Sequence, residues 1–320
     1  MASGHSLPCR LFGQSEKRYV MNENDVKLNS PRAWILAARP KTLTGAAVPV
    51  MIGLSLAWSD LSSSVQPMKW LPALLCMLFA LIMQIDANFV NDYVDFMKGT
   101  DDEQRLGPKR ACAQGWVTMS AMRRAIAITT AFACLSGLPL VIYGGWSMVI
   151  VGVACVLFCF LYTTHLSYLG LGDVLVLLFF GIVPVCATYY LQTGMVSIEA
   201  VVASVACGLV IDTLLVVNNY RDRDNDRRTG KKTLVVRIGA RKSEWLFLLL
   251  GVAACMLGIC FAVYGHLYAF ILPLVYLSLH IKTWNKMKEI SKGRQLNNIL
   301  GENARNMFIY GLLCSLGFLL

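Results

Sequence analysis

Charged residues are scarce in this chain. Asp, Glu, Lys and Arg make up only 15% of its 320 residues, whereas 56% are hydrophobic and the mean hydropathy is +0.56. A soluble protein of this length would need a more polar surface, so the composition excludes a soluble enzyme and predicts a membrane protein. No segment rich in Pro, Gly or Ser divides the chain. We therefore expect a single domain over residues 31–320.

Signals for export and for cysteine chemistry are also lacking. Residues 1–20 have neither the apolar core of a signal peptide nor a helical periodicity, so residues 1–30 are expected to form a disordered N-terminal segment. Eleven cysteines are present, but most lie inside apolar runs, where Cys acts as a small core residue. Cys155 and Cys159 share a helix face with no His or second Cys pair beside them, which argues against a zinc or redox site.

What the chain has in abundance is long apolar runs. Nine of them have the length and composition to cross about 30 Å of hydrocarbon. The predicted fold class is therefore all-α, a polytopic membrane protein with nine transmembrane helices around a central cavity open to the cytoplasmic side. The runs cover residues 43–58, 70–90, 125–143, 146–163, 171–191, 198–217, 245–264, 267–280 and 307–320.

The basic residues predict an orientation for these helices. The net charge is +10, with 29 Lys and Arg against 19 Asp and Glu. With the N-terminus inside, only Lys69 falls on an outer connection, which is the positive-inside pattern. Because this pattern explains the basic charge, we expect no nucleic-acid partner. The loops that follow the second and sixth runs are predicted to be cytoplasmic.

One short polar motif stands at the end of the second run, NDYVD at residues 91–95. On a helix, Asn88, Asn91, Asp92 and Asp95 stand at i, i+3, i+4 and i+7, so all four side chains share one face. The motif therefore predicts a polar cluster where the helix leaves the membrane.

A similar motif, NNYRD at residues 218–222, stands at the end of the sixth run. Asn218, Asp222 and Asp226 are spaced by four and again share a helix face. Both runs end on the same predicted side of the membrane. The carboxylates of the two clusters are therefore expected to converge at the mouth of one cavity.

Carboxylates this close to hydrocarbon are costly unless they are paired or bind a cation. Oxygen ligands without His or Cys nearby favour a hard cation, and Mg²⁺ is commonly shared with substrate phosphates. The clusters are flanked by cations that suit diphosphate oxygens: Lys98, Arg105, Lys109 and Arg110 after the first, and Arg221, Lys231 and Lys232 around the second. The alternative is that these charges only form a solvated inner surface.

Two further acids lie deeper in the apolar runs, Asp86 and Asp212. An ionisable residue inside a membrane span is a functional candidate. Each could equally be a neutral or hydrogen-bonded structural residue, with Gln84 or Thr213 as the partner. Both interpretations stay open at this point.

The two motifs resemble those of the UbiA superfamily of intramembrane prenyltransferases, and the resemblance runs from Arg39 to Leu320. The family carries Asn-Asp-x-x-Asp at the end of its second helix, matched by Asn91, Asp92 and Asp95, and Asp-x-x-x-Asp after its sixth, matched by Asp222 and Asp226. Where many members have a further Asp, this chain has Gly99, and Asp101 or Asp102 is expected to substitute for it.

Within the superfamily, the chain looks like the 1,4-dihydroxy-2-naphthoate polyprenyltransferases of menaquinone synthesis. The segments that carry this resemblance are ARPKTL (38–43), NDYVDFMKGTD (91–101), RLGPKR (105–110), LGLGD (169–173), YYLQTG (189–194) and NNYRDRDNDRRTGKKTL (218–234).

The resemblance implies transfer of a polyprenyl group from an allylic polyprenyl diphosphate to 1,4-dihydroxy-2-naphthoate, with loss of CO₂ and diphosphate, to give demethylmenaquinone. It implies a protein of a bacterial inner (plasma) membrane, with Mg²⁺ as cofactor and no obligate protein partner. The implied metal ligands are Asn91, Asp95, Asp222 and Asp226, and the implied catalytic residues are Asp92, Asp95, Asp222 and Asp226. The implied substrate-binding residues are Arg39, Lys41, Asn88, Lys98, Asp101, Arg105, Arg110, Asn219, Arg221, Lys231 and Lys232.

Two alternatives stay open. The acceptor could be homogentisate, 4-hydroxybenzoate or a glycerol phosphate lipid. In a different class, the helices and paired acids would also suit a divalent-cation transporter, which would need polar residues continuing through the bilayer. The length of the prenyl chain and the oligomeric state do not follow from the sequence.

Overall fold

The computed structural model describes residues 26–99 and 105–320, without the side chain of His165. Most of these residues are helical. The helices are α1 Pro31–Ala38, α2 Thr44–Ser63, α3 Trp70–Met97, α4 Met119–Gly137, α5 Leu140–Gly144, α6 Ser147–Leu161, α7 Gly172–Val176, α8 Val183–Thr193, α9 Ile198–Arg228, α10 Leu234–Ile238, α11 Ala240–Val263, α12 Leu267–Ile271, α13 Leu274–Ile290 and α14 Leu296–Leu319.

Eight helical stretches in this part of the chain are long and apolar enough to cross a membrane. They correspond to the first eight predicted spans, and the prediction of an all-helical membrane protein is confirmed. The stretches are Thr44–Ser63, Trp70–Met97, Met119–Gly144, Ser147–Thr164, Gly172–Thr193, Ile198–Arg228, Ala240–Val263 and Leu267–Ile290. The predicted ninth span lies in α14, whose first half carries several Asn residues together with Glu302 and Arg305.

Helix α9 lies at the centre of the bundle. Of its most apolar stretch, 67% is buried inside the protein, against 6% for the stretch that contains α6. The core around it contains Ile211, Phe261 and Tyr276, which are at most 6% exposed. The hydroxyl oxygen of Ser197 caps its first turn by accepting from the amide of Ala200. A helix surrounded by other helices can place polar groups only where they find protein partners, which bears on its acidic C-terminal end.

Two glycines allow α9 to touch a neighbouring segment backbone to backbone. A Cβ built on Gly181 would lie 2.6 Å from the carbonyl oxygen of Ser204 and 2.7 Å from the Cα of Gly208. A Cβ on Gly208 would lie 2.7 Å from Leu177. Gly181 belongs to a π-helical segment, Leu177–Ile182, that joins α7 to α8. Small residues at such contacts are how membrane helices gain van der Waals packing.

The two acidic clusters lie at one end of the bundle, where α3 and α9 terminate; we call it the polar end. The opposite end is marked by Lys69, whose ammonium donates to the carbonyl of Leu191 at 3.3 Å and whose amide donates to Gln192 at 2.9 Å. The one basic residue assigned to an outer connection therefore lies at the end opposite the acidic clusters. Which end faces the cytoplasm stays a prediction.

A groove and a small cavity are among the concave features in the described part of the chain. A groove of about 400 Å³, lined by residues such as Trp34, Arg124 and Ile128, lies between α1 and α4. A cavity of about 10 Å³ lies at the polar end, beside Tyr162 and Asn219. The predicted opening of a central cavity to the cytoplasm stays a prediction.

We predict that Gly181→Ala destabilises the bundle because its methyl group would push the π-helical segment away from α9. Overpacking of this kind costs about 1–3 kcal/mol of the free energy of unfolding. Thermal unfolding of the detergent-solubilised protein measures the loss. Gly152→Ala is the matched control, since no atom lies within 4 Å of a Cβ at Gly152 in α6. Equal unfolding temperatures for the two variants would contradict the close contact.

Candidate active site

The first cluster lies on the last turns of α3, and two of its members hold neighbouring elements. The Asn88 amide donates to the carbonyl of Ala38 and to the hydroxyl of Thr42, both at 2.9 Å, and the residue is 3% exposed. Asn88 thus secures the turn between α1 and α2. The side-chain oxygen of Asn91 accepts from the hydroxyl of Thr163 in the π-helical segment Tyr162–Leu166. Asn91 thereby connects α3 to the end of α6.

Both carboxylate oxygens of Asp92 bond to the loop that follows α3. Its two oxygens accept from the amides of Ala111 and Cys112 at 2.8 and 2.9 Å, and the residue is 1% exposed. These bonds satisfy two backbone donors that would otherwise be buried without partners. In the described structure Asp92 therefore positions the loop, although it was predicted as a catalytic residue.

Asp95 is the member of the first cluster that faces a cation. Its Oδ2 accepts from the Nη2 of Arg110 at 2.9 Å, and the side chains of Asp95 and Arg110 are 21% and 8% exposed. Four cations act electrostatically on this carboxylate; in decreasing order of effect they are Lys231, Arg105, Arg39 and Lys98. Cations from four separate segments of the chain thus surround one acid.

The second cluster lies on the last turns of α9 and is organised by Arg221. This guanidinium donates to both oxygens of Asp222, at 2.8 and 2.6 Å, to Asn218 at 2.7 Å and to Asn297 at 2.8 Å. It is 3% exposed, and its N–H donors are used by three side chains, those of Asp222, Asn218 and Asn297. Asp222 is thus paired with its own neighbour in the sequence.

A direct connection joins the two clusters. The side chain of Asn297 accepts from Arg221 and donates to the carbonyl of Leu106 at 2.8 Å. At Gly107, a Cβ would lie only 2.8 Å from a terminal nitrogen of Arg221. The RLGPKR segment that follows the first cluster therefore lies directly on the arginine of the second.

The acids of the two clusters also interact with each other. Asp226 is 6% exposed. Four charged groups act electrostatically on its carboxyl group; in decreasing order of effect they are Lys231, Asp222, Arg221 and Asp95. The Oδ2 of Asp226 is buried and has no hydrogen-bond partner among the described residues. The structure therefore brings Asp95 and Asp226 together around a shared cation, Lys231, at the polar end.

Lys98 is held over the ring of Tyr168. Its ammonium donates to two backbone carbonyls, of which that of Thr164 is 2.6 Å away, and lies 4.0 Å from the ring centroid. Loss of hydration lowers the pKa of Lys98 from its ordinary value; the Asp95 carboxylate acts in the opposite direction, and Lys231 lowers the pKa further. Lys231 lies 5.8 Å from the same ring. The two ammonium groups thus share one aromatic face.

Of the remaining predicted residues, Asn219 and Arg39 lie near the clusters, whereas Lys41 and Lys232 are exposed. Asn219 is 4% exposed and lines the small cavity at the polar end. Arg39 has a left-handed backbone with φ 50° at the end of α1, and it acts on Asp95. Lys41 and Lys232 are exposed side chains, although the amide of Lys232 bonds to a loop carbonyl. Asp101 lies outside the described residues.

The acids of the two clusters are engaged with other protein groups. Within residues 26–99 and 105–320, no three His, Cys, Asp or Glu side chains are arranged to hold a metal ion. Asp95 and Asp222 each face an arginine, and Asp92 faces backbone amides. The oxygen donors are gathered at one end of the bundle, but they are neutralised by protein cations.

The deep acid Asp86 is structural. It is fully buried, and its two oxygens accept from the hydroxyls of Thr129 and Thr130 of α4. The prediction that Gln84 is the partner of Asp86 is wrong, because the Gln84 amide donates to the hydroxyl of Thr42 instead. With Asp86 and Asn88 both used in helix contacts, these residues do not favour a continuous ion path through the bilayer.

Sequence reasoning missed two residues of the site. Asp173 lines the small cavity, and Asn297 joins the clusters. The LGLGD segment was noted for its resemblance, yet its Asp received no role. Asn297 carries no local signal, because its contact with Leu106 spans 191 positions of the chain.

Comparison with known proteins identifies the family. The UbiA prenyltransferase family matches residues 46–311, which include both acidic clusters. The chain belongs to this family. The resemblance stated from the motifs is thereby confirmed, and the UbiA protein described here can be compared with individual members.

Two relatives carry the name 1,4-dihydroxy-2-naphthoate octaprenyltransferase. The one from Escherichia coli (strain K12) is 37% identical over 242 residues, covering 72% of this chain and 77% of the relative. The one from Haemophilus influenzae is 31% identical over 303 residues, covering 90% and 96%. A solved UbiA homologue from Archaeoglobus fulgidus bound to GPP and Mg²⁺ shares the fold, with a TM-score of 0.61 at 14% identity, covering 88% of this chain and 99% of that chain.

We predict that Asp92→Ala loosens the loop of this UbiA protein without unfolding the bundle. Two buried amides lose their acceptor, at a cost of about 1–3 kcal/mol, so hydrogen exchange of a peptide covering residues 109–116 should accelerate about tenfold or more. Asp224→Ala is the control, because the Asp224 carboxylate is 62% exposed and contacts only Lys292 at 3.4 Å among the ion pairs described. Unchanged exchange in Asp92→Ala would refute the positioning role.

Proposed function

We propose that this protein transfers a polyprenyl group from an allylic polyprenyl diphosphate to 1,4-dihydroxy-2-naphthoate, with loss of CO₂ and diphosphate, to give the quinol form of demethylmenaquinone. The observation that carries the proposal is that two acidic clusters lie at one end of a membrane helix bundle and are joined through Asn297, which bonds to Arg221 and to the Leu106 carbonyl. Relatives named for this naphthoate reaction, 31% and 37% identical to the chain, support the choice of acceptor.

Mg²⁺ is the proposed cofactor, and the side chains suit it. It would be held by Asn91, Asp95, Asp222 and Asp226. All four offer oxygen donors, and the buried Oδ2 of Asp226 has no hydrogen-bond partner in the described part of the chain. When bound, the ion supplies positive charge for a diphosphate leaving group. A UbiA homologue solved with GPP and Mg²⁺ supports this choice.

The arginines now paired with acids are the proposed ligands of the diphosphate. Arg110 pairs with Asp95 and Arg221 with Asp222. A guanidinium that leaves a carboxylate can present the same fork of N–H donors to phosphate oxygens. We therefore propose that both arginines turn to the diphosphate when the donor binds, which frees the acids for the cation. Lys98, Lys231 and Arg105 complete the positive surface.

These cations stabilise the charge that develops on the departing diphosphate as the allylic C–O bond breaks, which is electrostatic catalysis directed at the leaving group. The allylic carbocation must be kept from water. The interior side of the polar end meets that need, since Val216, Val217 and Tyr220 are fully buried there. The electron-rich ring then attacks from the carbon that bears the carboxylate, and CO₂ leaves. The reaction requires no covalent enzyme intermediate.

Arg39 and Lys41 are the proposed readers of the acceptor carboxylate. Arg39 lies within electrostatic reach of Asp95, so a carboxylate bound to it would lie beside the donor head group. Lys41 is exposed one turn further along, at the entry to α2. Asn88 fixes the turn that carries both residues. An acceptor without a carboxylate should therefore bind less well.

The membrane arrangement is part of the proposal. We propose that α14 is the ninth span of a domain over residues 31–320, in a bacterial inner membrane with the polar end in the cytoplasm. Its polar residues face inward: Asn303 donates to Thr213 and Asn306 to Thr283, each at 2.9 Å. A helix of 24 residues is about 36 Å long, which suffices to cross the hydrocarbon core.

We predict that Asp95→Ala and Asp222→Ala each lower prenyl transfer at least a hundredfold, roughly the loss seen when one preorganised electrostatic contact is removed. Diphosphate release from a labelled allylic donor measures the effect, with thermal unfolding to show that the variants fold. Asp224→Ala, two positions from Asp222 on the same helix but exposed, should keep wild-type turnover. Near wild-type activity of Asp95→Ala or Asp222→Ala would remove that residue from the site.

The experiment that tests the proposed function is an acceptor panel with one labelled polyprenyl diphosphate. The purified protein should prenylate 1,4-dihydroxy-2-naphthoate in preference to homogentisate, 4-hydroxybenzoate and a glycerol phosphate lipid. It should react poorly with 1,4-dihydroxynaphthalene, which lacks the carboxylate, and stop when EDTA removes Mg²⁺. Preference for another acceptor would overturn the naphthoate assignment, and transport of Mg²⁺ without diphosphate release would overturn the enzyme assignment.

A further inference from the structure

A cavity of about 10 Å³ lies at the polar end, beside Asn219 and Lys231. It is enclosed by the loop before α7, the end of α9 and the loop before α10. The polar side chains that line it include Tyr162, Asp173, Asn219 and Lys231. A space of this volume holds about one water-sized group. The cavity can therefore receive a single oxygen atom, such as a hydroxyl group, but not an aromatic ring.

One acid that lines this cavity, Asp173, and a second acid that interacts with it, Asp212, have oxygens without partners. In the described part of the chain, Oδ1 of Asp173 and Oδ1 of Asp212 are both buried and make no hydrogen bond. Asp212 is only 5% exposed, and the two carboxylates interact electrostatically. The expected local partner of Asp212 is used elsewhere, because the Thr213 hydroxyl donates to the carbonyl of Val210 at 2.5 Å. Buried acceptors with no donor are costly, which favours a function for them.

Tyr162 connects this pair of acids with the clusters. Four acids act electrostatically on the Tyr162 hydroxyl; in decreasing order of effect they are Asp173, Asp212, Asp95 and Asp226. Tyr162 belongs to the π-helical segment Tyr162–Leu166, a kind of segment that is frequent at functional sites. Its ring lies 3.8 Å from the position of a Cβ on Gly172, next to Asp173. The pair of acids is thus adjacent to the place proposed for the diphosphate but separate from the proposed metal ligands.

We propose that Asp173, supported by Asp212, accepts the proton of a ring hydroxyl of the aromatic acceptor, whose oxygen enters the small cavity. The proposal rests on the proposed function, because it assigns a step of that reaction. Asp212 is a positioning residue, because its buried carboxyl group interacts electrostatically with that of Asp173. Lys231 and Tyr162 face the same cavity and can hold the hydroxyl oxygen.

The proton balance of the reaction fits this role. As the ring forms a C–C bond to the allylic carbon, the hydroxyl O–H bond breaks, its proton passes to Asp173, and the ring oxygen becomes a carbonyl. The bond to the carboxylate carbon then breaks, CO₂ leaves, and the electron pair returns to the ring. The carbonyl oxygen takes the proton back from Asp173. The acid is therefore regenerated in each turnover, and no external oxidant or reductant is needed.

Asp173→Asn tests the proposal in the full-length protein. It keeps the shape of the side chain but cannot accept the proton, so kcat should fall about a hundredfold, while the KM for the labelled donor stays within about twofold of wild type. Raising the pH until the free acceptor hydroxyl ionises should restore much of the variant's kcat and change the wild type little. The charged and titratable groups that face Asp173 are Asp212 from α9, Tyr162 from the π-helical segment and Lys231 from the loop before α10.

Asp86→Asn is the matched control, another buried acid of a membrane helix, but one with both oxygens bonded to threonines. Its pH dependence should be that of the wild type. Asp212→Asn should give a smaller loss of kcat with the same partial recovery at high pH. It also serves as the second variant if thermal unfolding shows that Asp173→Asn does not fold.

Three results would overturn the proposal. Wild-type kcat in Asp173→Asn removes the proton acceptor. A raised Mg²⁺ requirement or a raised donor KM makes Asp173 part of the donor site instead. A loss of kcat that is equal at every pH indicates a structural role. The wild type decides the proposed function separately: if it prenylates a different hydroxylated acceptor, that acceptor replaces the naphthoate in the same measurements.

Discussion

The structure depends on one constraint: an acid at the end of an apolar bundle must have a partner. Asp92 has two backbone amides, Asp95 has Arg110, Asp222 has Arg221, and Asp86 has two threonine hydroxyls. Except for the Asp222–Arg221 pair, which joins neighbours in the sequence, each of these bonds also joins two segments of the chain. The partners that make the acids tolerable near hydrocarbon are thus the same contacts that assemble the polar end.

A second group of acids stands apart from this scheme. Asp173, Asp212 and Asp226 each keep a buried oxygen that has no donor within the described residues. These incompletely bonded acids are proposed to take part in a reaction step or a metal contact, together with Asp95 and Asp222, which are paired with arginines in the structure. Asp92 and Asp86, in contrast, only hold loops and helices.

Much of the fold followed from hydropathy because a membrane helix must satisfy its backbone internally, which makes long apolar runs nearly unambiguous. The shared faces of the two clusters followed from the helical period. The period did not reveal that one face divides its side chains among different neighbours, as Asn88 reaches Ala38 while Asp92 reaches Ala111. Long-range pairs such as Asn297 with Leu106 have no local pattern, and the polar first half of α14 made its span the weakest.

Asn297 has a mechanical consequence for how the polar end can move. The Asn297 side chain bonds to both the Leu106 carbonyl and the Arg221 guanidinium. Displacement of the 105–110 segment would therefore also disturb the hydrogen bond that holds the arginine. Entry of the diphosphate head group and release of the Arg221 guanidinium to bind it would then occur together. Asn297, near the start of α14, thus couples the 105–110 segment to Arg221, although Asn297 and Leu106 are 191 positions apart in the chain.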